Sequence, residues 1–260
     1  ITDADTDLVV LEHNSDLLDA NETISWLHVE TDASAATDYA GIIPNATDAE
    51  LVDKIHYTNC SEDIDVRIDG TIVDKETNTT ISSNSIATTF TAGSGEAQMN
   101  FVFDSTPYAG KSLVVFEKIY MTVDGEDVLV AQHTDINDVR QTVLVPSIST
   151  KLVYSKDGVG YKIVPRGIED VTLVDYVTYS NVKAGDPWTL TATLMNKTTS
   201  DPVLDADGNA VTVTHTFTPT SDTGIEPVNI NFTRTISANM LYADDNWVCV
   251  ETLSSAIPAI

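Results

Sequence analysis

A glutamate inside an apolar segment is the first residue of this 260-residue chain whose chemistry stands out. Glu117 follows the apolar residues 114–116, and a strand of this kind leaves its carboxyl beside a core. Burial raises the pKa of a carboxyl and favours the neutral form, which can donate a hydrogen bond. Farther along the chain, His133, Asp138 and Gln141 lie within nine positions. A histidine with a nearby aspartate can act as a base held by an orienting partner. These residue types suit proton transfer during an attack on a carbonyl group.

The elements that must position these groups are β-strands. Residues 189–194 (TLTATL) and 211–217 (VTVTHTF) alternate with a period of two and are rich in β-branched side chains. This pattern predicts half-buried strands. Turn residues separate the strands, as at 155–158 (SKDG) and 205–208 (DADG), and no segment keeps a helical period for three turns. The sequence therefore predicts an all-β protein built of sandwiches.

The chain also repeats itself. LVDKIHY at residues 51–57 returns as LVDYVTY at 173–179, and VVFE at 114–117 returns as VCVE at 248–251. With an offset of 119, residues 5–31 lie over residues 124–150, so the first residues resemble the end of a repeat. The separation between matching segments grows along the chain. Insertions in the loops between retained strands explain this growth. We predict three units: an orphan closing strand at 1–25, a complete repeat at 26–145, and a second repeat without its closing strand at 146–260.

Charge and cysteine content exclude several kinds of function. Lys and Arg number 13 and Asp and Glu number 40, giving a net charge of −27 that repels nucleic acid and anionic lipid surfaces. Cys60 and Cys249 fall in different repeats, so neither a disulfide nor a zinc cluster is expected. The Asp-Gly at 207–208 fits a hairpin turn better than a calcium loop. We expect no metal and no cofactor.

Four ordered motifs together resemble a known family. They are a strand-opening Thr31, the VDxxxY pattern at 52–57, LVVFEK at 113–118 and HTDINDVRQTV at 133–143. This combination is similar to the VaFE-repeat or T-Q ester-bond domains of Gram-positive surface adhesins. In that family an ester between Thr and Gln side chains joins the first and last strands of each immunoglobulin-like domain. The resemblance implies tandem immunoglobulin-like (CnaB-type) β-sandwich domains.

The resemblance also assigns roles to residues. It implies an ester between Thr31 and Gln141, with Glu117, His133, Asp138 and Asp53 arranged around it. In the second repeat the equivalent residues are Thr150, Asp175 and Glu251. In residues 1–25, Asp19 matches Asp138, Glu22 stands where Gln141 stands, and His13 is one position from the place of His133.

Two features of the second repeat lead to a hypothesis about partners. The repeat has no Gln-bearing segment of its own, and residues 1–25 have the register of a closing strand. Those residues could complete the second repeat by strand exchange with another copy or within one chain. We expect neighbouring repeats as the other contacts, a host ligand bound elsewhere in the parent protein, and no contact with nucleic acid or membrane.

The function implied by the resemblance is a stalk module of a cell-wall-anchored adhesin on the bacterial surface. Bond formation happens once per molecule, so the protein is not expected to be an enzyme. One alternative is a ligand-binding sandwich without a cross-link. Another is a pilin-like domain with an isopeptide bond from Lys54 or Lys118.

Overall fold

The computed structural model describes residues 24–35, 41–236 and 246–255. In the first domain, which ends at Val145, these residues form eight strands and a short 3-10 helix at Thr106–Tyr108. The strands are β1 (His28–Ala35), β2 (Ala49–Cys60), β3 (Ile64–Asp74), β4 (Thr79–Phe90), β5 (Gly93–Phe103), β6 (Ser112–Val123), β7 (Glu126–His133) and β8 (Thr142–Leu144).

The second domain begins directly after Val145 and contributes seven strands to the described residues. They are β9 (Ser147–Lys156), β10 (Val159–Tyr161), β11 (Asp170–Ser180), β12 (Trp188–Asn196), β13 (Thr212–Phe217), β14 (Gly224–Thr233) and β15 (Trp247–Ser255).

The first domain is a sandwich of two antiparallel sheets. One sheet has the order β1-β2-β5, and the other has the order β4-β3-β6-β7, with β8 pairing the beginning of β6. Inward side chains alternate with outward ones along β2, so that Leu51 and Ile55 are fully buried. They share one core with Ile68 and Ile119 from the opposite sheet. The period-two pattern therefore produces the predicted all-β sandwich.

The second domain repeats this arrangement with its own core. Its sheets have the orders β10-β9-β11-β14 and β13-β12-β15, and Trp188, Leu190 and Val228 are among the buried residues between them. The sequence offsets place β9 and β11 over β1 and β2, and β12 to β15 over β3 to β6. Within the described residues no strand occupies the place that β7 and β8 hold in the first domain. The predicted tandem all-β architecture is confirmed.

The two domains meet end to end through short segments. The Asn181 side-chain amide of the second domain donates to the Lys111 carbonyl of the first (2.7 Å). Ile42 of the first domain packs against the core of the second. β8 runs directly into this junction, so the closing strand of the first domain leads straight into β9. The described residues contain no helix long and apolar enough to span a membrane.

Candidate cross-linking site

The hydroxyl of Thr31 lies in the dry interior of the first domain. Thr31 is 0% exposed and is the fourth residue of β1. It therefore lies inside the strand, whereas the sequence analysis placed it at the opening of the strand. Thr31 Oγ1 lies 2.5 Å from His133 Nδ1 and 3.1 Å from Glu117 Oε2. Pairing of β1 with β2 places Thr31 opposite the fully buried Ile55, so the register of the two strands directs the hydroxyl toward the core.

The His133 ring connects this hydroxyl to a carboxylate. His133 Nε2 lies 2.8 Å from Asp138 Oδ2. Burial alone would raise the pKa of Asp138, but the backbone N–H of Arg140 and the His133 ring outweigh it and lower that pKa. The ionised Asp138 therefore accepts a hydrogen bond from Nε2–H of His133, which leaves the lone pair of Nδ1 free to accept one from the Thr31 O–H. Thr31 donates, His133 accepts, and the base is held in the tautomer that attack requires.

Two buried carboxyl groups lie next to each other in the same pocket. Glu117 and Asp53 are both 0% exposed, on β6 of one sheet and β2 of the other. Burial raises the pKa of Glu117 far above its ordinary value, and the neighbouring Asp53 carboxyl raises it further. Burial also raises the pKa of Asp53, whereas its hydrogen bond with Glu117 lowers it. The pair therefore holds a proton on Glu117, because two adjacent buried carboxylates cannot both ionise.

The Gln141 carboxamide faces this acid pair. Gln141 is 1% exposed, and its Nε2 donates to Asp53 Oδ1 over 3.5 Å, while its Oε1 has no hydrogen-bond partner. The Val115 N–H donates to the backbone carbonyl of Gln141 (3.1 Å), which anchors the residue to β6 just before β8 begins. Asp53 thus lies against the nitrogen that would leave. The unpartnered Oε1 is the atom on which negative charge would develop.

The closing segment is also tied to β1. The Ala33 N–H donates to the Arg140 carbonyl over 2.9 Å, and Arg140 forms an ion pair with Glu30 on the surface. This hydrogen bond holds Arg140 beside Ala33, which is two residues after Thr31 in β1. Six residues that the sequence singled out therefore meet in one pocket: Thr31, Asp53, Glu117, His133, Asp138 and Gln141.

The second domain carries only part of this arrangement. Asp175 on β11 is 0% exposed and Glu251 on β15 lies beside it, whereas Thr150 on β9 is exposed. Burial, followed by the Glu251 carboxyl, raises the pKa of Asp175 to about 8. Both carboxylate oxygens of Asp175 and one of Glu251 lack a hydrogen-bond partner. The counterparts in residues 1–25, namely His13, Asp19 and Glu22, lie outside the described residues.

One residue near this second acid pair was not recognised from the sequence. The buried Cys249 has its sulfur within 4.8 Å of carboxylate oxygens of Asp175 and Glu251. Burial raises the pKa of its thiol, and Glu251 raises it further. The signal was present in the motif, because VCVE puts a cysteine where the first repeat has Val115.

The lysines of the isopeptide alternative point away from the pocket. Lys54 and Lys118 follow Asp53 and Glu117 directly, so strand alternation turns both side chains outward, and both are exposed. An isopeptide bond from either lysine therefore has no buried acid to assist it.

Comparisons with known proteins agree with the motifs. The sequence profile of the T-Q ester bond containing domain matches residues 27–145 and again residues 146–256. No curated protein sequence gives a significant match.

Three solved structures illustrate the range of structural similarity. A Mobiluncus mulieris adhesin containing intramolecular disulfide, isopeptide and ester bond cross-links has 12% identity and a TM-score of 0.43, covering 89% of this chain and 81% of its own. A second crystal form of it has 13% identity and a TM-score of 0.40, covering 87% and 80%. Red sea bream transglutaminase has 13% identity and a TM-score of 0.30, covering 91% of this chain and 30% of its own. The two profile matches span most of the sequence, and the chain therefore belongs to the family of T-Q ester bond containing domains.

Proposed function

We propose that the first domain joins Thr31 to Gln141 through a self-formed ester and that the chain is a stalk module of a cell-wall-anchored bacterial adhesin. The observation that carries the proposal is the placement of the Thr31 hydroxyl, 2.5 Å from a histidine nitrogen in the same dry pocket as the Gln141 carboxamide. The protein acts once on itself and is not an enzyme.

The proposed reaction starts at the Thr31 hydroxyl. His133 takes the hydroxyl proton, Thr31 Oγ1 attacks the side-chain carbonyl carbon of Gln141, and the C–N bond of the amide breaks. The nitrogen leaves as ammonia after receiving a proton from the His133 imidazolium, so one ester and one ammonia replace one hydroxyl and one amide. Fixing the two groups side by side can lower the activation barrier by about 7 to 11 kcal/mol.

The acid pair has two separate tasks in this reaction. Neutral Glu117 is a hydrogen-bond donor within the pocket, and a donor of this kind stabilises negative charge on the carbonyl oxygen. Asp53 accepts a hydrogen bond from Nε2 of Gln141 and so directs the nitrogen away from the attacking oxygen. Burial then keeps water from the product, since Thr31 and Gln141 have almost no exposed surface.

The mechanical consequence follows from where the bond lies. β1 enters the domain and the segment before β8 leaves it toward the junction, so an ester between them carries tension past the rest of the sandwich. The bond closes a loop of about 110 residues, which for a disulfide of that span stabilises by about 5 kcal/mol in the chain-entropy argument. A module that transmits tension without unfolding suits an extracellular stalk.

Intact-mass measurement under denaturing conditions tests the ester. We expect the wild-type chain to be lighter than its sequence by one ammonia, and mild base to open the bond by adding one water. Thr31→Ala and Gln141→Ala should each show the full sequence mass. A full-mass wild type after prolonged incubation of folded protein would contradict the proposal, and a base-resistant loss of ammonia would point to an amide cross-link instead.

A further inference from the structure

A buried thiol and two carboxyl groups converge inside the second domain. Cys249 and Glu251 are two positions apart on β15, so strand alternation turns both side chains to the same face of that strand. Asp175 comes from β11, which belongs to the other sheet of this domain. The sulfur and one oxygen of each carboxyl all lie within 4.8 Å of one another. Three donor atoms from two sheets therefore surround one point between the sheets.

These donor atoms are shielded from water and have lone pairs to offer. Asp175 is 0% exposed and Cys249 is 6% exposed, whereas Glu251 is partly buried. Among the described residues, neither carboxylate oxygen of Asp175 has a hydrogen-bond partner, and Oε1 of Glu251 has none. A buried carboxyl oxygen without a partner is destabilising, and a bound cation is one way to satisfy it. The buried and unpartnered Asp175 carboxyl therefore points to a ligand at this place.

Comparison with the first domain shows what the cysteine adds. There the counterpart acids Asp53 and Glu117 have the closing segment beside them, and Gln141 contacts only Oδ1 of Asp53. Oδ2 of Asp53 and Oε1 of Glu117 still lack partners in the part of the chain that the structure describes. One unpartnered oxygen on each acid is therefore a property of the pair itself, whatever segment lies against it. The second domain adds a sulfur to such a pair, because Cys249 stands where the first domain has Val115.

The mixture of sulfur and oxygen donors selects the kind of ion. Ca²⁺ and Mg²⁺ take oxygen ligands, so a thiolate gives them no advantage. Zn²⁺ binds sulfur at about 2.3 Å and carboxylate oxygen at about 2.0 to 2.2 Å, and it accepts three protein ligands with a fourth position for water. Donor atoms that span no more than 4.8 Å need only small side-chain movements to reach one such centre. The net charge of −27 also attracts cations to this chain.

We propose that Asp175, Cys249 and Glu251 bind a zinc ion that joins the two sheets of the second domain. The ion displaces the thiol proton of Cys249 and any proton held by the acid pair, and these protons pass to solvent. The sequence analysis expected no metal because Cys60 and Cys249 fall in different repeats, but this site needs only one cysteine. Its other ligands come together through folding. The site does not depend on the proposed ester, because it involves binding and no bond between side chains.

Titration of the reduced, chelator-treated chain with Cd²⁺ tests the sulfur ligand. Cd²⁺ is the probe because it is a softer relative of Zn²⁺ whose bond to a thiolate gives an ultraviolet charge-transfer band. We expect a band that saturates at one ion per chain. Cys249→Ser should remove it, and Cys60→Ser, which changes the buried cysteine of the first domain, is the matched control that should keep it. The absence of a band, or a band that survives Cys249→Ser, would overturn the proposal.

Competition for Zn²⁺ against a chromophoric chelator tests the complete ligand set. Cys249→Val should weaken binding about 100-fold or more, and it should fold because the first domain has Val115 at this position. Asp175→Asn should weaken binding about tenfold or more, since an amide oxygen carries no charge. Asp170→Asn changes an exposed carboxyl of the same strand and is the control, with no expected effect. Unchanged affinity in Asp175→Asn, or displacement of Zn²⁺ by excess Ca²⁺, would contradict the site.

Hydrogen exchange with and without Zn²⁺ tests whether the ion joins the two sheets. In β11 and β15, amides that exchange only when the second domain unfolds should exchange about 100-fold more slowly when free Zn²⁺ is about 100 times its dissociation constant. Amides of the first domain are the internal control and should not change. Cys249→Val should lose the effect of the ion on β11 and β15. Binding of Zn²⁺ that leaves exchange in β11 unchanged would overturn the link between the sheets.

Discussion

Thr31 and His133 are 102 positions apart in the sequence, and yet Thr31 Oγ1 lies 2.5 Å from His133 Nδ1. The two residues belong to opposite sheets, with Thr31 on β1 and His133 at the end of β7 beside Glu117. The hydroxyl and the ring nitrogen therefore meet only when both sheets have closed over the core. In the proposed reaction, this dependence would allow the ester to form only in the folded domain.

Removal of the base should slow bond formation without preventing folding. His133 is partly exposed at the edge of the pocket, so His133→Ala leaves the core intact and should lower the rate of ammonia loss by a factor of about 10² to 10⁴. Asp138→Asn should also slow the reaction, because an amide can donate to Nε2 and force the proton onto Nδ1, the atom that must accept from Thr31. Mass spectra taken at intervals after refolding measure both rates. Unchanged rates in both variants would remove His133 from the mechanism.

The residues of the pocket were recognisable from the sequence because their motifs carry chemistry. Glu117 stood out as an acid in an apolar strand, and the repeat at 51–57 and 173–179 defined two units. The family resemblance was confirmed by the profile matches, and the all-β prediction was confirmed by the strands. Local alternation was sufficient here, because most strands have one buried and one solvated face.

Other features depend on pairing between distant segments and could not be predicted. The sequence placed Thr31 at the opening of a strand, but pairing with β2 starts β1 three residues earlier, at His28. The contact of Asp53 with the amide nitrogen of Gln141 depends on how the two sheets pack.

Stability of the second domain should depend on pH through Asp175. Its pKa is raised to about 8 by burial and by Glu251, so the folded state keeps a proton that the unfolded chain releases near pH 4. Stability is therefore greatest below about pH 4 for this group and falls as the pH rises to about 8, by up to about 1.4 kcal/mol per pH unit. Asp175→Asn should flatten this fall.

Chemical unfolding followed by tryptophan fluorescence measures this effect, since the buried Trp188 reports on the second domain. The comparison of wild type with Asp175→Asn at each pH cancels the effect of the overall charge. Parallel curves for the two proteins would contradict the assignment of the proton to the acid pair.

A glycine beneath a tyrosine should be essential to packing in each domain. A Cβ at Gly224 would overlap the hydroxyl and ring of Tyr179, and one at Gly95 would overlap Tyr57 in the same way. We expect Gly224→Ala to destabilise the second domain by about 1 to 3 kcal/mol, as overpacking does. Adding Tyr179→Phe removes the nearest atom and should restore part of the loss, measured by chemical unfolding. A neutral Gly224→Ala would show that the ring moves aside freely.

Single-molecule pulling should distinguish the two domains, because we propose a covalent bond between the terminal strands of the first domain only. With the ester in place, force enters at Thr31 and leaves at Gln141, so the residues between them cannot extend even if the sandwich opens. Thr31→Ala should release that segment as a step of about 400 Å, given about 3.6 Å for each of about 110 residues. The second domain should unfold at low force in both proteins, because nothing within the described residues joins β9 to a closing strand. The same domain therefore serves as an internal control for each trace. A wild-type trace that contains the step of about 400 Å would mean that the bond between Thr31 and Gln141 had not formed in that molecule. If most wild-type molecules showed this step, the result would contradict a role of the bond in carrying tension.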